Sequence, residues 1–115
     1  MREDAFFRIS NEVRYVALYL GGQLTLHERP ALANPSTPES DKYEELIVNP
    51  TLLTLVQQRG NIGCGGVKFA VIRYGNFWQT IWPIKQGHVS VGLEPTADPL
   101  EHAKAIHRVI VDQEL

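Results

Sequence analysis

Val67-Lys68-Phe69-Ala70-Val71-Ile72-Arg73-Tyr74-Gly75-Asn76-Phe77-Trp78-Gln79-Thr80-Ile81-Trp82 is the stretch that decides the fold. Val67–Tyr74 and Phe77–Trp82 are rich in β-branched and aromatic residues and meet at Gly75-Asn76, a pair suited to a tight turn, so they read as a hairpin. Successive side chains of a strand point to opposite faces. Phe69 and Val71 therefore oppose Ala70 and Ile72, and Phe77 and Ile81 oppose Trp78 and Trp82. Both faces are apolar, and a sheet apolar on both faces needs cover on both. The expected fold is α+β, with an antiparallel sheet between two helical layers.

Downstream, Gln86-Gly87 turns the chain into a third strand, His88–Leu93, which completes a meander. Asp98-Pro99-Leu100-Glu101 then resembles a capping box, with Asp98 accepting backbone N–H bonds and Glu101 reaching back. The last helix runs to about Asp112, with Leu100, Ala103, Ile106, His107 and Ile110 on one face. Upstream, Val13–Leu20 and Gln23–Glu28 flank Gly21-Gly22 and form a second hairpin. Leu24 and Leu26 point inward, and Gln23, Thr25 and His27 outward. Pro30, Pro35 and Pro38, with Asn34, Ser36, Thr37 and Ser40, make a loop. Thr37-Pro38 and Asn49-Pro50 each place a capping residue before a helix-starting proline. They predict helices over Asp41–Ile47 and Pro50–Arg59. The second has Leu52, Leu53, Leu55 and Val56 as its apolar face and is ended by Gly60. The expected whole is a five-stranded antiparallel sheet flanked by helices, one domain over residues 1–115.

Composition narrows the class. A chain of 115 residues with 43% hydrophobic and 21% charged residues matches one globular domain with its own core. A net charge of −2 with eleven scattered Lys and Arg residues supplies no field for nucleic acid, so none is expected as a partner. No apolar run reaches the roughly 18 residues of a membrane span, and the charged Met1–Ser10 stretch is unlike a signal peptide. Cys64 is the single cysteine, which precludes an internal disulfide. The expected location is cytoplasmic.

The sequence offers few chemical motifs. Gly60-Asn61-Ile62-Gly63-Cys64-Gly65-Gly66 has the glycines of a phosphate loop but lies after a helix and before a strand, the reverse of the order such loops need. It reads as a connector with several positive-φ positions. Cys64, with His27 or His88 as base, would be a nucleophile only if a cation favoured its thiolate; a lone cysteine is more often a small buried hydrophobe. His102 and His107 are five apart, about 140° round a helix, and do not share a face as metal ligands must. Glu44-Glu45 reads as a solvated helix face. No catalytic, cofactor-binding or metal-binding residue is assigned. Trp78 and Trp82 point the same way on their strand, either as layer packing or as an interface. Lys104 and Arg108, on the water side of the last helix, are the other interface candidates.

The meander, followed by Leu93-Glu94-Pro95-Thr96-Ala97 turning into the last helix, resembles the roadblock / dynein light chain family. The first hairpin and the Pro50–Arg59 helix follow the same order. The resemblance implies a profilin-like three-layer sandwich that forms a homodimer. It further implies a non-catalytic scaffold or regulator of a protein partner such as a small GTPase. Met1–Asn11 is too short and too aromatic for the long first helix usual in that family, which would leave part of one sheet face open. A second reading is a small-ligand sensor of similar architecture, with a pocket between the sheet and the Pro30–Ser40 loop.

Overall fold

In a computed structural model describing residues 1–115, five strands form one antiparallel sheet. They are β1 (Val13–Leu20), β2 (Gln23–Glu28), β3 (Ala70–Arg73), β4 (Trp78–Ile84) and β5 (Gly87–Leu93). Their order across the sheet is β2-β1-β5-β4-β3. β1 and β5 are thus central, which fits the near-continuous burial of both strands. Helices α1 (Arg2–Phe7) and α4 (Pro99–Asp112) lie on one face, and a helical arm from Pro38 to Gly60 lies on the other. This is the expected three-layer α+β sandwich. No helix is long and apolar enough to cross a membrane.

The two faces of the sheet are chemically unlike. Val16, Leu18, Val89, Val91, Leu93 and Trp82 join Phe6 of α1 and Ile106 and Ile110 of α4 in one buried apolar cluster. On the opposite face, Tyr15, Gln79, His88 and Ser90 lie under the arm. The expected cover on both sides is present, but under the arm the apolar Ala17, Ile81 and Leu53 share the interface with these polar side chains.

The N-terminus corrects another expectation: Arg2–Phe7 is helical. Its shortness is offset by anchors at both ends. Glu3 accepts from Thr25 Oγ1 at 3.2 Å and lies 3.4 Å from His27 Nε2, so Thr25, still exposed as expected, and the partly covered His27 tie α1 to β2. Arg29 donates to the carbonyls of Phe7 at 2.8 Å and Ser10 at 3.0 Å, taking up acceptors that a helix end leaves free.

In α4 the Asp98 cap is present, its Oδ1 accepting from the Leu100 amide at 2.9 Å, but Glu101 makes no return bond. The buried residues are Pro99, His102, Ile106 and Ile110, whereas Leu100 and His107 are exposed. His102 takes the inward place expected of Leu100 because it has partners there. Its Nδ1 donates to the Asp98 carbonyl and its Nε2 meets Ser10 Oγ, each at 2.9 Å.

The arm is one continuous helical run instead of two separate helices: α2 (Pro38–Tyr43), a π turn (Glu44–Val48) and α3 (Asn49–Gly60). Thr37 caps it, accepting from the Ser40 amide at 3.1 Å. Asn49 is not a cap; its backbone is helical and its amide bonds the Glu44 carbonyl five residues back. Of the apolar face expected on α3, only Leu53 is buried, and Leu55 lies in solvent. Gly60 is required by crowding rather than by a left-handed turn. A Cβ there would stand 3.0 Å from Val67 Cγ2 and 3.1 Å from the Gly66 carbonyl carbon.

Candidate functional site

Asp41, Glu45, Asn49 and Leu53 recur every four residues along the arm. In an unbroken α-helix each such step drifts about 40° round the axis, so three steps would swing the row about 120° away from the sheet. The π turn adds a residue to one turn and offsets that drift. Pro50 suits this geometry, since it has no N–H to give the carbonyl four residues back. The result is that Glu45 and Asn49, both 0% exposed, aim at the sheet.

Glu45, expected in solvent, is the centre of a buried network. Its Oε1 accepts from His88 Nε2 at 2.7 Å, Ser90 Oγ at 2.6 Å and Asn49 Nδ2 at 2.9 Å. Its Oε2 accepts from Tyr15 Oη at 2.7 Å and Gln79 Nε2 at 3.2 Å. Burial pushes the Glu45 carboxyl up, but the bonds from His88, Ser90 and Tyr15 outweigh it and hold the group below the usual carboxylate range. The Tyr15 phenol is driven strongly upward by burial and by the Glu45 charge. Serine, histidine and glutamate side chains meet here, yet Ser90 donates to Glu45 and not to His88. Glu45, Ser90 and His88 at its centre are sealed from water, so the cluster is built to hold the arm on the sheet rather than to activate a nucleophile. A readable signal for it was the small and polar alternation His88, Ser90, Gly92 on a central strand, which demands polar partners from the layer above.

Beside this network opens a cleft of about 530 Å³, between the Pro35–Glu44 segment and the ends of β1, β3 and β4. A β-bulge between Val13 and Tyr15 re-aims Arg14 toward it. The buried Arg14 guanidinium donates to the carbonyls of Asn76, Ala33 and Asn34, lies 3.5 Å from Glu94, and stands 5.2 Å over the Phe77 ring. It ties the Pro30–Ser40 loop to the sheet, and both its terminal nitrogens are engaged. Glu28, Asp41 and Glu44 supply negative charge to the walls, and Tyr15, Tyr43, Tyr74 and Phe77 supply aromatic surface. Glu44 Oε1 accepts from Tyr74 Oη at 2.6 Å. Burial, then the Glu45 charge among smaller effects, raises the Asp41 and Glu44 carboxyls.

The other residues singled out in the sequence lie apart from this cleft. Trp82 is 4% exposed, stacked on Phe69 at 4.5 Å, with Nε1 donating to Thr80 Oγ1 at 3.1 Å. Trp78 is half-buried in a shallow groove with Val71, Ala97, Pro99 and Leu100. Lys104 and Arg108 are exposed on α4, four and eight residues beyond Leu100. Cys64 is exposed rather than buried, its Sγ 3.6 Å from the Ile62 carbonyl. Neither histidine weighed as a base for it is paired with it: His88 is held by Glu45 and His27 lies on Glu3. Gly63, Gly65 and Gly66 do take positive φ.

Solved structures share this architecture. A roadblock/LC7 domain from Streptomyces avermitilis superposes with a TM-score of 0.65 at 13% identity, covering 88% of this chain and 82% of that one. An MglB structure with a tetrameric arrangement gives 0.67 at 17% identity, over 94% and 81%. The gliding protein MglB of Thermus thermophilus gives 0.60 at 13%, over 96% and 89%. Neither a protein-family model nor a curated protein matches the sequence. The chain has the roadblock fold.

Proposed function

We propose that residues 1–115 act as one non-catalytic, cytoplasmic roadblock-like module that pairs with a second copy of itself and regulates or scaffolds a protein partner, a small GTPase being the partner class. The observation that carries the pairing is the outer side of the helical arm. Tyr43, Leu46, Ile47 and Leu55 are all exposed there, Ile47 at 51% and Leu55 at 61%. Large apolar side chains gathered on one element mark an interaction surface, and a two-fold pair covers the same patch on both copies at once. The tetrameric arrangement of MglB, a fold relative, supports assembly as the use of this fold. Lys104 and Arg108, with Trp78 in the groove at the start of α4, are the partner-facing residues in this reading.

Sedimentation equilibrium at micromolar concentration should return a dimer. Ile47→Glu and Leu55→Glu should each weaken it about tenfold or more, since a charge would be buried without a partner, while leaving the circular dichroism spectrum unchanged. A monomer at all concentrations overturns the pairing. GTP hydrolysis measured with a small GTPase should change when the chain is added, and the chain alone should hydrolyse none.

A further inference from the structure

The cleft beside Glu45 is lined by acceptors that have no donor. Gln79 is 1% exposed and its Nε2 is committed to Glu45 Oε2. That bond fixes the amide orientation, because a flipped amide would set oxygen against carboxylate oxygen. Its Oε1 is left without a partner. Glu44 Oε2, on the same wall, is also buried and unpartnered. Buried acceptors in a folded protein are ordinarily satisfied, and both unmet needs here are for a donor. The charge agrees: three carboxylates face the cleft against one guanidinium already spent on Glu94 and backbone carbonyls. Tyr15 and Tyr74 add π faces that attract cations, while the Phe77 face already carries Arg14. The acidic side chains form no set able to hold a metal ion, whereas a volume of about 530 Å³ is in the range of small-molecule sites.

The geometry points to a binding site for an organic cation bearing N–H donors, a guanidinium or primary ammonium group, which donates to Glu44 Oε2 and Gln79 Oε1 between the aromatic walls. The cation is either a free amine or the side chain of an arginine or lysine presented by another protein. Both offer the same donors and charge. Tyr43 borders both this site and the pairing surface, but the contacts proposed for the cation, to Glu44 and Gln79, use none of Leu46, Ile47 and Leu55.

Isothermal titration of the full chain with three probes tests it. Agmatine stands for a free ligand, Nα-acetyl-arginine-N-methylamide for a protein side chain, and choline for a cation without N–H donors. At least one of the first two should bind, the tighter naming the source, and choline should bind about tenfold more weakly or not at all. Glu44→Gln, which removes the charge and keeps the shape, should weaken binding about ten- to a hundredfold, as expected for a charge-assisted hydrogen bond. Asp41→Asn should weaken it less. Repeating the titration in Leu55→Glu separates this site from pairing, since that substitution lies outside the cleft. Failure of both donor-bearing probes, equal binding of choline, or indifference to Glu44→Gln in a folded variant overturns the proposal.

Discussion

Glu45 shows how one residue can reverse the reading of its neighbourhood. Beside Glu44 in the sequence it looks like half of a solvated acidic pair, yet five side chains donate to it at 0% exposure. Removing one partner of a buried ionic network leaves the others desolvated and unsatisfied, so Glu45→Ala should destabilise the fold by about 3–5 kcal/mol. Urea denaturation measures this, and a loss below about 1 kcal/mol would mean that the network contributes little to holding the arm. Gly87 has a different kind of necessity. A Cβ there would stand 1.9 Å from the Tyr19 carbonyl oxygen, where the β4–β5 turn meets the end of β1. Local signals place Gly87 in a turn for its flexibility; the packing adds a reason of space.

At the scale of elements, α4 separates what local sequence specifies from what neighbours specify. Its start at Asp98-Pro99 is local chemistry, and it is where the sequence put it. Its inward face depends on what lies beneath, and there His102 displaces Leu100. Three substitutions read this directly in thermal or urea unfolding. Asp98→Ala should cost about 0.5–2 kcal/mol through the lost cap. Ile106→Ala, at a fully buried position, should cost about 2–5 kcal/mol. Leu100→Ala, at 69% exposure, should change stability by less than about 0.5 kcal/mol. A large cost at Leu100 would place that side chain under a covering surface. The helical arm teaches the same lesson more strongly. Its start at Thr37-Pro38 was legible, but Asn49-Pro50 imitates a helix start while lying inside one, because proline is compatible both with a first turn and with a π turn.

For the whole molecule, the carboxylates on the arm pull stability in opposite directions with pH. The Asp41 and Glu44 carboxyls are raised, first by burial, so the folded state binds their protons more tightly than the unfolded chain does. Their contribution is fully present below the unfolded value and is lost as pH rises through the folded one. Glu45 is lowered, its hydrogen bonds prevailing over burial. Its contribution is present above the unfolded carboxylate value and lost as pH falls through the folded one. Melting temperature should therefore rise as pH falls from neutral toward the carboxylate range and fall again on further acidification below about pH 4, the ordinary carboxylate value. Differential scanning calorimetry across that range checks it. Glu44→Gln should flatten the rise and leave the acid fall in place.

The sequence alone determined the strands, their hairpins, the antiparallel sheet and the cap of α4. Those features rest on two-residue alternation, turn glycines and capping side chains, interactions between residues close along the chain. The tertiary structure decided which acids are buried, which leucines stay in solvent and where the cleft opens. Tyr15, Glu45, Gln79, His88 and Ser90 come from four separate elements, and each is polar enough to suit water. Only when the arm crosses the sheet do they find one another, and a carboxylate leaves water only where enough donors replace it.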